Sequence, residues 1–338
     1  MNRIVVDAMG SDNFPVPDVI GAIMAAREFD VEIILVGDEA KIKPLLEKEN
    51  VIHLPISVVH APEMLTMEDK GLALVLKARR PNVKNSMAVG IDLVKNGQAE
   101  AFVTAGNTGA ASVTAYLRLG TIPGVDRPGL TPVFPTATGT CVVLDVGANP
   151  DCKPQNLLQF AIMGSIYVEK VRGVKNPKIG LVSNGEEAGK GNELVKHTYP
   201  LLKESGLNFY GNIEGKELIG GKVDVAVTDG FTGNILLKSS EAAAKLLVDK
   251  IREAIENGGL RTKLGGILIK PALKVIKKLM DPSEQGAAPL LGVNGLVFIG
   301  HGRSEAVAIK NGIRLANNAV KANVIESIRA GIEQSLKK

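Results

Sequence analysis

The sequence predicts an α/β fold: a mostly parallel sheet with helices on both faces. Three observations carry that expectation. Short apolar, β-branched runs alternate with amphipathic helical runs in βαβα order. The turn after almost every strand run is rich in Gly, Asn, Asp and small hydroxyl residues. The chain is also long and apolar enough for a sizeable core, at 338 residues, 45% apolar, with 37 Gly.

In chain order, the apolar strand runs are Arg3–Asp7, Val31–Val36, Ile56–His60, Ala101–Thr104, Cys141–Asp145, Lys178–Ser183, Asp224–Thr228 and Leu296–Ile299. Between them lie helical runs at Pro17–Phe29, Ser86–Asn96, Thr108–Leu119, Pro154–Lys170, Asn192–Glu204, Gly233–Asn257 and Ser304–Ser335. Residues 1–338 read as a single α/β catalytic unit, with a basic amphipathic excursion at 258–282. In sheets of this kind the ligand crevice lies at the carboxyl ends of the strands.

Composition removes several functions. Net charge is +4 and aromatics are 4% with no Trp, so no nucleic-acid surface is expected. Two cysteines, Cys141 and Cys152, make no disulfide framework, and with four scattered histidines they give no metal-ligand spacing. No metal and no cofactor are expected. The start Met-Asn-Arg-Ile-Val-Val-Asp reads as a strand and not a signal peptide. No apolar run approaches the roughly 20 residues needed to span a bilayer. A cytosolic chain that touches a membrane surface is the expectation.

The loops after the strands carry the chemistry. They are Asp7-Ala-Met-Gly10-Ser-Asp12, Ala105-Gly106-Asn107-Thr108-Gly109, Asp145-Val-Gly147-Ala-Asn149, Ser183-Asn184-Gly185-Glu186-Glu187-Ala-Gly-Lys190-Gly191-Asn192, Asp229-Gly230-Phe231-Thr-Gly233-Asn234 and Gly300-His301-Gly302-Arg303-Ser304. A strand running through a Gly-rich turn into a helix presents free backbone N–H groups and a helix dipole, which together bind anions, phosphate above all. Any one Gly-Asn turn is more often a helix cap; six of them at strand ends read as a site. No Walker-type loop occurs, and no Gly-x-Gly-x-x-Gly follows the first strand, so a nucleoside triphosphate or dinucleotide bound in the usual way is disfavoured.

Residues 258–280 differ in character. They hold Arg261, Lys263, Lys270, Lys274, Lys277 and Lys278 and no carboxylate before Asp281. Pro271 is expected to start a fresh helix. From there Leu273, Ile276, Leu279 and Met280 share one face, and Lys274, Lys277 and Lys278 another. The segment reads either as a core-packed helix with solvated lysines or as a docking surface for an acidic protein or an anionic lipid surface.

Taken together and in order, these loops resemble the PlsX family of bacterial phosphate acyltransferases. The motifs are Val-Asp7-Ala-Met-Gly10-Ser-Asp12, Ala-Gly106-Asn107-Thr-Gly109-Ala, Leu-Asp145-Val-Gly147-Ala-Asn149, Gln-Asn-Leu-Leu-Gln159-Phe-Ala, Asn-Gly-Glu186-Glu187 with Lys190-Gly191-Asn192, Thr-Asp229-Gly230-Phe231-Thr-Gly233-Asn234 and Gly300-His301-Gly302. The resemblance covers residues 3 to about 320. It implies transfer of a long acyl chain from acyl carrier protein to inorganic phosphate, giving acyl phosphate for phospholipid synthesis. It also implies a Rossmann-like fold akin to phosphotransacetylases and isopropylmalate dehydrogenases, a homodimer, no metal, and peripheral contact with the inner face of the cell membrane or a membrane acyltransferase.

Roles follow from the reaction. Phosphate is itself the nucleophile, so no covalent enzyme intermediate is needed. Backbone N–H groups around 106–109 and 230–233 are expected to cradle it, with Asp7, Gly10, Asn149, Asn184 and Phe231 lining the substrate. Lys190 is the candidate cation, kept charged and oriented by Glu186 and Glu187; the alternative is a solvated loop lysine. Asn234 is a candidate oxyanion donor or a helix cap. Asp229 orients Lys190 or Asn234. His301 is a candidate proton donor to the leaving thiolate or a structural group. Cys141 reads as core, and Cys152 is the one thiol able to accept an acyl group. The rivals are a coenzyme-A-dependent phosphate acetyl- or butyryltransferase, an isopropylmalate-type dehydrogenase, and a membrane-associated scaffold.

Overall fold

The computed structural model describes residues 1–66, 69, 71–79, 84–279 and 282–337, with the backbone alone for 275–279 and 282. The elements run β1 (Asn2–Asp7), α1 (Val16–Glu28), β2 (Val31–Gly37), α2 (Glu39–Lys48), β3 (Ile56–His60), α3 (Gly71–Arg79), α4 (Ser86–Lys95), β4 (Ala101–Thr104), α5 (Thr108–Leu119), β5 (Gly129–Leu130), β6 (Val133–Thr136) and β7 (Gly139–Leu144). They continue as α6 (Pro154–Arg172), β8 (Ile179–Val182), α7 (Glu193–Glu204), β9 (Phe209–Ile213), α8 (Gly215–Ile219), β10 (Val225–Val227), α9 (Gly230–Glu256), α10 (Leu260–Leu279), α11 (Pro282–Gln285), β11 (Ala288–Leu291), β12 (Leu296–Ile299), α12 (Ala306–Lys321) and α13 (Val324–Leu336).

The strands form two sheets, ordered β3-β2-β1-β4-β12-β11-β5 and β6-β7-β10-β8-β9. Parallel pairing dominates; the antiparallel pairs are β11 with β12, β11 with β5, and β6 with β7. Helices cover both faces, and strand periodicity shows it. In β1, Ile4 and Val6 enter one hydrophobic cluster and Val5 the other. In β7, Val142 and Leu144 divide from Cys141 and Val143 in the same way. The first cluster takes residues from α1, α6, α7, α12 and α13; the second takes them from α3, α4, α5 and α8. Each cluster draws on both sheets, so the two sheets share their cores.

Loop asparagines and aspartates start the helices. Side-chain oxygens of Asp38, Asn85, Asn107, Asn192 and Asp229 accept N–H groups in the first turns of α2, α4, α5, α7 and α9. The helical run expected over 304–335 is broken in two by Asn323, which adopts φ 52° between α12 and α13. Such a left-handed residue cannot continue a right-handed helix.

Pro271 does not start a helix. It lies inside the continuous α10. The carbonyl that loses its N–H partner there sits on an exposed helix, where water can satisfy it. Gly258 and Gly259 form the turn between α9 and α10, whereas Gly265 and Gly266 are helical. A Cβ on Gly266 would collide with Ile255 of α9, so this glycine lets the two helices approach. Along α9 only Gly230 and Gly233 are buried. Leu246, Leu247, Leu260, Leu264, Ile267 and Leu268 are all more than half exposed. Arg261, Lys263, Lys270 and Lys274 are exposed and Leu273 is half-buried, whereas the side chains of Ile276, Lys277, Lys278 and Leu279, and Met280 entirely, lie outside the described residues.

Candidate active site

The six loops singled out from the sequence all follow the carboxyl ends of strands, three on each sheet. On the larger sheet they follow β1, β4 and β12. Asp7, at the end of β1, is 1% exposed. Its Oδ2 accepts from Thr104 Oγ1 at 2.7 Å and its Oδ1 from the Met9 N–H at 3.0 Å. Burial pushes its pKa up, against hydrogen bonds from Ser86, Thr104 and Met9. Thr104 Oγ1 in turn accepts the Gly106 N–H at 3.0 Å. A Cβ on Gly10 would lie 2.9 Å from that same hydroxyl. Asp7 and Gly10 therefore shape the β4–α5 loop from behind, through Thr104.

Inward use of the Gly106 N–H leaves the start of α5 to face outward. Asn107 Oδ1 takes the Ala110 N–H at 3.0 Å and the Asn107 carbonyl takes that of Ala111 at 2.9 Å. The N–H groups of Thr108 and Gly109 have no acceptor among the described residues, and both residues are exposed. Two adjacent donors at a positive helix end form the anion-accepting arrangement expected there. The β12 loop closes on the same side: Gly300 N–H donates to Thr104 O at 2.7 Å, and Asp12 N–H to Gly302 O at 2.7 Å. His301 is exposed, and no hydrogen bond to its imidazole is found among the described residues. Crowding by neighbouring atoms lowers its pKa; Glu241 of α9 works against that and Arg303 with it.

On the smaller sheet the loops follow β7, β8 and β10. Asp145 is fully buried and gathers the surrounding backbone. Its Oδ1 accepts from Leu130 N at 2.9 Å and Ala148 N at 3.2 Å. Its Oδ2 accepts from Asn149 N at 2.6 Å and Asn149 Nδ2 at 3.1 Å. Burial raises its pKa, and these donors oppose the rise. The Asn149 carboxamide also reaches Pro128 O at 2.6 Å, so Asn149 is a structural brace. Gly230 and Gly233 press onto this knot. A Cβ on Gly230 would lie 2.6 Å from Asp145 Oδ2 and from Asn149 O, and one on Gly233 would collide with the Asp145 carbonyl.

At the start of α9 most donors are spent internally. Gly230 N–H goes to Asn149 O at 2.8 Å, Thr232 N–H to Asp229 Oδ1 at 2.8 Å, and Gly233 N–H to Asp229 O at 2.9 Å. Only the Phe231 N–H lacks an acceptor among the described residues, and the Phe231 ring is 63% exposed. Asp229 Oδ2 also takes the Thr232 hydroxyl at 2.9 Å. Asp229 is therefore the helix cap, and both its oxygens are committed to Thr232. Asn234 is not the cap. It lies one turn on, half-buried, with its side chain 3.8 Å from where a Gly147 Cβ would stand, and its carboxamide has no partner among the described residues.

The β8 loop is held by α8 and β9. Lys190 N–H donates to Glu187 O at 2.9 Å, Asn212 Nδ2 to the same carbonyl at 2.8 Å, and Gly191 N–H to Asn184 Oδ1 at 2.9 Å. Glu186 was expected beside Lys190. Instead its carboxylate pairs with Lys216, whose Nζ lies among Glu186, Glu214 and Glu217 at 2.8, 3.0 and 3.7 Å. Hydrogen bonding from Lys216 lowers the Glu186 pKa, and its bonds to Glu186 and Glu214 raise that of Lys216. Lys190 is exposed and has no ion pair among the described residues.

Cys152 sits half-buried near this knot, with Sγ 3.5 Å from Asn149 O. Burial, followed by the charge of Asp145, pushes its thiol up to about 11. Cys141 is buried in β7 and pushed up to about 12, again chiefly by burial. Neither thiol is poised to ionise near neutrality. Sequence reasoning missed Thr104, Lys216 and the bracing role of Asp145. The Leu-Asp-Val-Gly end of an apolar strand was the available signal for the last of these.

A parallel-dominated α/β fold with an anion-accepting loop at its strand ends defines a phosphate-handling α/β protein. The comparisons narrow the class. A family model described as "Fatty acid synthesis protein" matches residues 2–327. The chain is 45% identical over 331 residues to a phosphate acyltransferase of Pelotomaculum thermopropionicum, covering 98% of this chain and 95% of that one. It is 46% identical over 328 residues to another from Desulfitobacterium hafniense, covering 97% and 96%. The chain belongs to this fatty acid synthesis family, as its loop motifs suggested. Its fold is shared with a phosphotransacetylase from Streptococcus pyogenes, at TM-score 0.58 and 17% identity over 100% of this chain and 95% of that one. A 4-hydroxythreonine-4-phosphate dehydrogenase from Klebsiella pneumoniae is similar at TM-score 0.53 and 12% identity, over 95% and 98%.

Proposed function

We propose that this chain is a phosphate acyltransferase that moves a long fatty acyl group from the thioester of acyl carrier protein to inorganic phosphate. The observation that carries the reading is the start of α5, where Thr108 and Gly109 present adjacent N–H groups with no acceptor among the described residues while Gly106 is turned inward to Thr104. Phosphate bound there is already an anion and needs no general base.

The reaction is a direct displacement. A phosphate oxygen attacks the thioester carbonyl carbon, and the carbonyl becomes a tetrahedral oxyanion. The oxyanion collapses, the carbon–sulfur bond breaks, and the thiolate leaves to take a proton. Lys190 balances the charge of the phosphate or the oxyanion. The Asn234 carboxamide and the Phe231 N–H donate to the oxyanion, a contribution on the order of 3 kcal/mol per donor in comparable sites. His301, with its pKa lowered, is largely neutral near pH 7, so it acts as a hydrogen-bond donor more readily than as a source of a proton. The raised Cys152 thiol leaves phosphate as the nucleophile.

The partners extend this reading. Two long helices that bury almost nothing among their described side chains need a cover, and we assign the α9–α10 hairpin to peripheral contact with an anionic membrane surface by a homodimer. The basic side chains of α10 would face lipid head groups and its leucines the acyl boundary. Among the described residues no helix is long and apolar enough to cross a membrane. Replacing Lys274, Lys277 and Lys278 by Glu should abolish pelleting with phosphatidylglycerol vesicles; unchanged pelleting would refute the contact.

The function is tested by phosphate-dependent release of carrier-protein thiol from purified long-chain acyl carrier protein, with the matching acyl-coenzyme A alongside. Release from the carrier protein only, and only with phosphate, is expected. Release from the coenzyme A donor alone would move the chain to the phosphotransacetylase reaction.

A further inference from the structure

Helix α3 lies beside the phosphate-accepting end of α5 and has no part in the chemistry above. Its inner face, Leu74 and Ala78, is buried, and Leu74 joins the hydrophobic cluster that also takes Ala110, Ala111 and Ala115 of α5. Both ends are tied to α5. Asn107 Nδ2, at the α5 cap, donates to Thr66 O at 3.4 Å, five residues before α3 begins. Arg118 Nε, in the last turn of α5, donates to Ala78 O at 3.0 Å. The two helices therefore run side by side in the same direction. A helix of nine residues is about 13 Å long, so every point of its face is near the cradle.

The outer face is unusual. Leu72 and Leu76, one turn apart, are 73% and 56% exposed. In sequence the stretch 66–84 is basic, with Lys70, Lys77, Arg79, Arg80 and Lys84 against Glu68 and Asp69. Lys77 shares its charge with Asp69, whereas Arg79 and Lys84 are exposed and have no ion pair among the described residues. Leu72 and Leu76, with the exposed Arg79 on the same helix, form a small apolar patch with a positive edge. That pattern fits a compact acidic protein and is too small to hold a membrane.

We propose that α3 is the surface on which the acidic carrier protein docks, with Leu72 and Leu76 as the apolar contact and Arg79 on the charged rim. The proposal rests on the acyltransferase reading above and deepens it. The carrier would sit over α3 and its prosthetic arm would pass along α3 toward the start of α5. The α9–α10 hairpin is then free for the membrane.

The test compares wild type with Arg79→Glu and with the double variant Leu72→Ser/Leu76→Ser, using long-chain acyl carrier protein as donor. Docking acts on encounter and not on the bound reaction. KM for the carrier protein should therefore rise about tenfold or more, with kcat unchanged within about twofold. The wild-type KM should also climb with salt, and that of Arg79→Glu should climb less. A KM within about twofold of wild type in both variants would overturn the proposal. So would a fall in kcat at saturating carrier, which would signal a damaged site, or conversion to a smaller species in light scattering, which would make α3 a contact between copies. A wild-type chain that releases no thiol from the carrier protein overturns the function itself, and this proposal with it.

Discussion

Lys216 Nζ lies 2.8 Å from Glu186 Oε1, and that bond turns the expected partner of Lys190 away from it. Lys190 instead owes its place to backbone anchors, its own N–H and Asn212 Nδ2 both meeting Glu187 O. The exposed Lys216 cluster adds little stability, since surface ion pairs are worth about 1 kcal/mol at most. It ties the Lys190 loop to α8. Lys190→Ala should lower kcat/KM by roughly 100-fold or more. Lys216→Ala should lower it about tenfold through misplacement, with thermal stability nearly unchanged. Steady-state kinetics beside a melting curve separate the two effects.

Asn234 and Cys152 give opposite expectations. Asn234→Ala should lower kcat by about 100- to 1,000-fold with little change in KM for phosphate, as for loss of an oxyanion donor. Cys152→Ala should stay within about threefold of wild type, because its thiol is protonated at working pH and no step uses it. Strong inhibition by Cys152→Ala with a mild Asn234→Ala would replace direct attack by a covalent acyl-enzyme route.

Gly233→Ala tests the packing of α9 onto Asp145. The added methyl collides with the Asp145 carbonyl in a site where backbone meets backbone, so no side chain can swing aside. A loss of about 2–4 kcal/mol in urea unfolding is expected, with activity lost in proportion to the fraction misplaced.

The sequence made the parallel α/β order legible because buried strands such as Ile4–Val6 and Val225–Val227 are continuous apolar runs. It hid β9, whose Phe-Tyr-Gly-Asn-Ile reads as a turn, and β5, β6 and β11, which are short or interrupted by proline. It placed the site loops, since chain order alone puts them at strand ends. It did not show which polar atoms were already used. Asn149 is consumed by Pro128, 21 residues away, and Glu186 by Lys216, 30 residues away, and local spacing carries no sign of such partners.

Asp18 provides a pH signature. It is fully buried at the start of α1, its Oδ2 accepts from Ser11 Oγ at 2.5 Å, and its Oδ1 has no partner among the described residues. Burial, with a further push from Asp7, raises its pKa from 3.8 to about 7. A raised carboxyl favours the folded state's protonated form, so its contribution is full below pH 3.8 and is lost as pH climbs through about 7. Stability should fall across that window by about 1.4 kcal/mol per pH unit at most. Asp18→Asn should flatten the slope and exceed wild type above pH 7 in denaturant titrations at stepped pH.

The sparse burial of α9 and α10 has a thermodynamic corollary. Helices whose described residues bury only two glycines at one root have a low local unfolding free energy, whereas strands packed in two shared clusters have a high one. The hairpin should exchange its amide hydrogens far faster than β1 or β10. Whatever covers it then contributes binding free energy directly to its order, by mass action. Its protection should rise with protein concentration if the cover is a second copy and with added vesicles if it is lipid, while the protection of the sheets stays fixed.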